Sequence, residues 1–122
     1  MTNPKTPDID EIYQVLRQWA ILGAPKTYKD LSLEYYKRTG AWFEPHGSWD
    51  VPLGTLNKRL AAVDAPALSA LVILQEKNEP GGKFWGCAPN VPPRPRSEVA
   101  RWTEWDRIVK TVCAYDWPQK LP

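Results

Sequence analysis

Apolar residues near the start of the chain recur three or four positions apart: Ile9, Ile12, Tyr13, Leu16, Trp19 and Ala20. That spacing places them on one face of a helix. Asp8 is suited to cap it, with Glu11 three residues on as in a capping box, and Gly23 is suited to end it. The pattern predicts a helix over 9–22, whose other face, Asp10, Glu11, Gln14, Arg17 and Gln18, is solvated. After the break at Ala24-Pro25-Lys26, Thr27 opens a second helix, with Asp30 as its capping-box partner. Tyr28, Leu31 and Tyr35 line its inner face, and Gly40 stops it. Leu53, Leu56, Leu60 and Val63 then repeat at spacings of three, four and three. They predict an amphipathic helix over 52–63, with Asp50 as its cap and Pro52 tolerated in its first turn.

Asp64-Ala65-Pro66 breaks that helix. Leu68 to Leu74 is a nearly continuous apolar run of a length that suits a buried strand. Asn78-Glu79-Pro80-Gly81-Gly82 has turn chemistry, and Lys83-Phe84-Trp85 is expected to return as a second strand. Residues 86–96 hold four prolines and read as an extended surface connector. Ser97 caps a last helix over about 98–115, with a wide apolar face of Val99, Trp102, Trp105, Ile108, Val109, Val112 and Cys113. Trp117 in the tail is a candidate to dock back. Helix, linker, helix, strand, turn, strand over 27–86 is the order of a winged helix-turn-helix. The expected fold is therefore α+β: one small winged helix-turn-helix domain over 1–122, with extra N-terminal and C-terminal helices and a flexible stretch at 1–7.

Composition narrows the picture. A chain of 122 residues with 43 % hydrophobic and 25 % charged side chains suits a single globular domain. Net charge is only +2, with six basic and seven acidic side chains in 1–50, four and three in 51–86, and six and four in 87–122. A dedicated DNA binder usually has a stronger basic footprint, so any such surface is local. Cys87 and Cys113 fit a reducing compartment as idle thiols, with a single disulfide as the other option. The polar N-terminus lacks the apolar run of a signal peptide, and no stretch has transmembrane length. A cytoplasmic protein without membrane contact is expected. No feature sets an oligomeric state.

Candidate chemistry is sparse. Thr55, Asn57, Lys58 and Arg59 should point away from the apolar stripe of the 52–63 helix. Lys and Arg suit phosphates and guanine edges, and Asn suits adenine. Lys77 and Lys83 flank the expected wing tip and would touch phosphates. The plainer reading of the same face is ordinary solvation. The linker 40–52 crowds Trp42, Phe43, His46 and Trp49 into a loop, where rings stack on bases, anchor a partner or fold back as lids on the core. His46 is the only histidine. With Glu44, Ser48 and Asp50 beside it, its spacing gives no triad, and no metal spacing is present. Cys87 has no histidine partner to make it a nucleophile. Arg94, Arg96, Arg101 and Arg107 gather in the last third, with Pro92-Pro93-Arg94-Pro95-Arg96 as a stiff basic connector. No cofactor fingerprint is found.

Thr27-Tyr28-Lys29-Asp30-Leu31-Ser32, followed by an amphipathic helix and Pro66-Ala67-Leu68-Ser69-Ala70-Leu71-Val72-Ile73, is similar to the winged-helix domain of DNA alkylguanine alkyltransferases and alkyltransferase-like proteins. The resemblance covers about half the chain. It implies a winged-helix architecture and, through it, DNA binding. Where that family has its reactive cysteine and histidine, this chain has Leu71 and Val72. Pro52 or Leu53 stands where the family's helix begins with arginine. Repair chemistry is not implied.

Three functions follow as expectations. The first is non-catalytic DNA binding through the 52–63 helix and the wing. The second is a protein-interaction or inhibitor module, of the kind carried by mobile elements, that uses the aromatic loop. The third is an enzyme acting on nucleic acid or a nucleotide near His46.

Overall fold

A computed structural model describes residues 6–122. Most of the N-terminal stretch expected to be flexible, residues 1–5, lies outside it; Pro7 is buried. Helix α1, Ile9–Leu22, starts where Asp8 accepts from the backbone N–H of Asp10 and Glu11, and ends at Gly23 with φ 68°. Its buried face, Ile12, Tyr13, Val15, Leu16, Trp19 and Ala20, makes it the central rod of the domain. Strand β1, Lys26–Thr27, leads directly into α2, Tyr28–Thr39. A reciprocal box holds that junction: Thr27 Oγ1 accepts from Asp30 N, and Asp30 Oδ2 accepts from Thr27 N, each at 3.1 Å. These contacts satisfy donors that a helix start leaves orphaned.

Helix α3 is Asp50–Ala61, two residues earlier than the apolar spacing predicts. The cause is Trp49. Its ring is fully buried, its Nε1 donates to Ser32 Oγ at 2.9 Å, and its carbonyl accepts from Leu53 N. The helix therefore starts from an aromatic anchor, and Asp50 lies inside the helix instead of capping it. At the other end Val63 falls beyond the helix and is exposed, although the pattern assigns it to the inner face.

The run 68–74 is not one strand. Leu68–Leu71 is a 3₁₀ turn at the centre of the core, packed against α1, α3 and α4. Only Val72–Ile73 is extended, as β2, and it pairs in parallel with β1 in the register Lys26 to Val72 and Thr27 to Ile73. Apolar runs of this length bury equally well in either geometry, so hydrophobicity alone does not choose. The turn expected at 78–82 is displaced: the chain turns at 75–79, where Asn78 N donates to Leu74 O and Asn78 takes φ 51°, and again at 82–86. Lys83–Trp85 does not return as a strand. Phe84 N instead donates to Gly81 O, and Gly86 at φ 72° turns the chain away. Among the described residues the sheet is this parallel pair, without an antiparallel wing hairpin.

The proline-rich connector is looped and stitched down, not extended. Val91 and Ala88 are buried, and Asn90 Nδ2 donates to the carbonyls of Asn57 and Ala65 at 3.0 and 3.1 Å. Helix α4, Glu98–Ala114, is capped by Ser97 Oγ. Its apolar face is narrower than expected: Ile108 and Val112 are buried, while Val99 and Trp102 are exposed. Trp105 Nε1 donates to Ala70 O at 2.8 Å. The tail does dock. Trp117 is buried edge-on to Tyr13, and the Tyr13 hydroxyl donates to the carbonyl of Pro118. The result is a small, helix-rich α+β domain of four helices and two short strands among the described residues. No helix among these residues is long and apolar enough to cross a membrane.

Candidate nucleic-acid interface and adjoining pocket

Helix α3 is held by its inner face. Leu53, Leu56, Asn57 and Leu60 are buried. Thr55, Lys58 and Arg59 are exposed, and their spacing puts them together on the solvent side. Neither Lys58 nor Arg59 has a carboxylate partner among the described residues. Both also lie in the last turn, where cations complement the helix dipole.

Asn57 departs from the expected outer face. It is 0 % exposed; Nδ2 donates to Ser69 Oγ at 2.6 Å and approaches Cys87 Sγ at 3.4 Å, while Oδ1 accepts from Ser69 N at 3.4 Å. Its backbone carbonyl receives Asn90. Every edge of this side chain is used to join α3, the 3₁₀ turn and the connector, so none remains to read a base. The stripe of leucines places 57 beside the buried face, and a polar residue there signals a core hydrogen-bond hub.

The two wing lysines separate. Lys77 lies in a cleft with Glu76, Glu79 and Glu98, beside Arg101 and Trp102, in acidic company. Glu79 accepts from Trp102 Nε1 at 2.8 Å and lies 3.8 Å from Arg101 Nε. Lys83 instead faces Asp50 and Gly54 at the N-terminal end of α3. The missing hairpin explains the split, because no paired strands hold the two flanks of the turn together.

The aromatic loop splits too. Trp49 is in the core, edge-on to Tyr35 and Phe43 at 5.4 and 5.8 Å, and Phe43 is half-buried. Trp42 stays 45 % exposed, edge-on to exposed Tyr36 at 6.3 Å, with Nε1 donating to Glu44. His46 is exposed at the mouth of a pocket of about 350 Å³.

That pocket is where the fold collects chemistry. It opens at the carboxyl ends of both parallel strands, with Thr27, Tyr28 and Lys29 on one wall, Pro45, His46, Gly47 and Asp50 on the second, and Ile73 to Gln75 with Gly81 to Lys83 on the third. Open sheets commonly bind ligands in the crevice beyond the strand ends. Tyr28 secures the rim: its hydroxyl accepts from Gly81 N at 3.3 Å. Burial pushes the Tyr28 phenol above its ordinary range, with the Asp50 and Cys87 charges acting the same way and the Gly81 hydrogen bond opposing them.

Tyr28 and Lys29 enter the sequence reading only as part of the Thr27–Ser32 helix start, not as candidate site residues. The parallel pairing that brings 73–75 to them leaves no local trace.

Elsewhere the chemistry is quiet. Cys87 and Cys113 are free, half-buried thiols, and burial pushes the Cys113 thiol up. Among the described residues no cluster of three histidine, cysteine or carboxylate side chains could hold a metal ion. A larger hollow of about 470 Å³ lies between the end of α3 and α4, but its cation, Arg107, is paired with Glu104. The chain matches no protein-family model, no curated protein and no solved structure.

Proposed function

We propose that this domain binds nucleic acid, without catalysis, through the outer face of α3. The α2–linker–α3 unit acts as a helix-turn-helix, and the 74–83 turn takes the place of a wing. One observation carries the reading: Thr55, Lys58 and Arg59 stand exposed on a helix whose other side is locked into the core, and neither cation is paired. A rigid helix presenting unpaired cations suits backbone contacts, and Thr55 can add a hydrogen bond. Lys83 extends the positive surface past the N-terminal end of α3.

Three phosphate contacts, from Lys58, Arg59 and Lys83, set the expected salt dependence. At about 0.9 counterions per phosphate, affinity for a mixed-sequence duplex should fall roughly forty-fold between 50 and 200 mM salt. Replacing Lys58 and Arg59 together with glutamate should abolish binding while the domain stays folded, with only the modest fall in melting temperature that reversing two charges at a helix C-terminus brings. Absence of duplex binding by the unaltered protein at 50 mM salt refutes the reading.

A second reading is a protein-interaction surface at Trp42. It is favoured by the exposed Trp42–Tyr36 pair, with exposed Leu33 one turn away on α2. Large aromatics of this kind anchor interfaces. Trp42→Ala should then remove a specific partner without affecting duplex binding.

A further inference from the structure

We propose that the pocket beside α3 is a binding site for an organic phosphomonoester, with Lys29, His46 and Lys83 surrounding the phosphate. Residues 29, 46 and 83 come from α2, the linker and the turn after β2, and only the folded chain brings them to one cavity. None of the three is ion-paired among the described residues. Several other cations do pair, Lys37 with Glu34, Arg38 with Glu11, Arg107 with Glu104 and Lys110 with Asp106, whereas Lys58 and Arg59 on α3 do not. The pocket has one carboxylate on its wall, Asp50. Two lysines against one carboxylate give the lining a net positive charge.

The chemistry of the walls selects the anion. A phosphomonoester carries nearly two negative charges at neutral pH, which suits two ammonium groups better than a single carboxylate would. Pro45, Ile73, Leu74 and the Tyr28 ring give the pocket an apolar side that receives the organic part of the ester. The phosphate source is either a small ester such as a mononucleotide or the terminal phosphate of a nucleic-acid strand. The proposal shares Lys83 with the α3 reading but needs neither Lys58 nor Arg59.

The test titrates the full chain, by calorimetry at low salt, with adenosine 5′-monophosphate, adenosine, and a short single strand with and without a 5′-phosphate. The expected result is at least ten-fold tighter binding of one or both phosphorylated probes than of its unphosphorylated partner. Preference for the mononucleotide identifies a small ester as the source, and preference confined to the phosphorylated strand identifies a strand end. Lys29→Met with Lys83→Met keeps the side-chain stems, and should reduce that preference ten-fold or more with an unchanged melting curve. Lys29→Arg with Lys83→Arg should restore it. Lys58→Glu with Arg59→Glu should leave it intact, which separates this site from the α3 face. No preference for phosphate in either probe pair, or a preference that survives the double methionine variant, overturns the proposal.

Discussion

Gly81 and Tyr28 form a coupled pair whose energetics can be worked out before any measurement. A Cβ added at Gly81 would lie 2.9 Å from Tyr28 Oη and 3.6 Å from Cζ. The first distance is shorter than real Cβ contacts, and the second is ordinary. Gly81→Ala alone must therefore push away a rigid ring whose hydroxyl accepts from Gly81 N. Crowding of this sort costs about 1–3 kcal/mol, and the gain from a less flexible unfolded chain returns only about 0.4–1 kcal/mol. Tyr28→Phe alone loses one long hydrogen bond, about 0.5–1.5 kcal/mol. In the double variant the offending oxygen is gone and the nearest atom is at 3.6 Å, so the alanine now stabilises. The two changes should thus be non-additive by about 1–2 kcal/mol, with the double variant more stable than the sum of the singles predicts. Urea unfolding of the four proteins, followed by tryptophan fluorescence, measures the cycle. A coupling below about 0.3 kcal/mol, within ordinary additivity error, would refute the geometry of this rim.

Two further outcomes follow from the core. Asn57→Leu should destabilise by about 2–4 kcal/mol, because it leaves the buried Ser69 hydroxyl and N–H without the partner that the Asn57 side chain supplies; a shift in the urea midpoint worth less than 0.5 kcal/mol contradicts the hub. Stability should also decline above pH 10. Burial raises the phenols of Tyr13, Tyr28 and Tyr35 above their ordinary value of 10.0. Above that pH the unfolded chain sheds protons that the native state keeps, so the stability present in full below pH 10 is lost as pH climbs toward the native values. Urea midpoints from pH 8 to 11 should fall only at the upper end, and less steeply in Tyr28→Phe.

The helix starts at Asp8, Thr27 and Ser97 are legible in the sequence because each rests on a hydrogen bond to a residue two or three positions on. The start of α3 is not, because Trp49 fixes it through Ser32, seventeen residues back. The same distance effect hides the candidate sites. Lys58 and Arg59 follow from the leucine spacing beside them; position 57 falls next to the same stripe, but its side-chain partner Ser69 is twelve residues on and leaves no local sign. The pocket depends on Lys26–Thr27 lying alongside Val72–Ile73, a pairing with no turn to announce it. The expected wing fails for a related reason: the chain does turn after β2, at 75–79, but β2 finds its neighbour far upstream.

Tyr13 and Pro118, joined by a hydrogen bond, stand 105 residues apart, and Trp117 covers the same part of α1. A ribosome delivers the chain from its N-terminus at about 5–20 residues per second, so α1 waits roughly 5–20 seconds for that cover. Until then the Tyr13 patch of α1 stays uncovered while the rest of its buried face can already pack on α2, α3 and the 3₁₀ turn, and a chain truncated before Trp117 keeps that patch open.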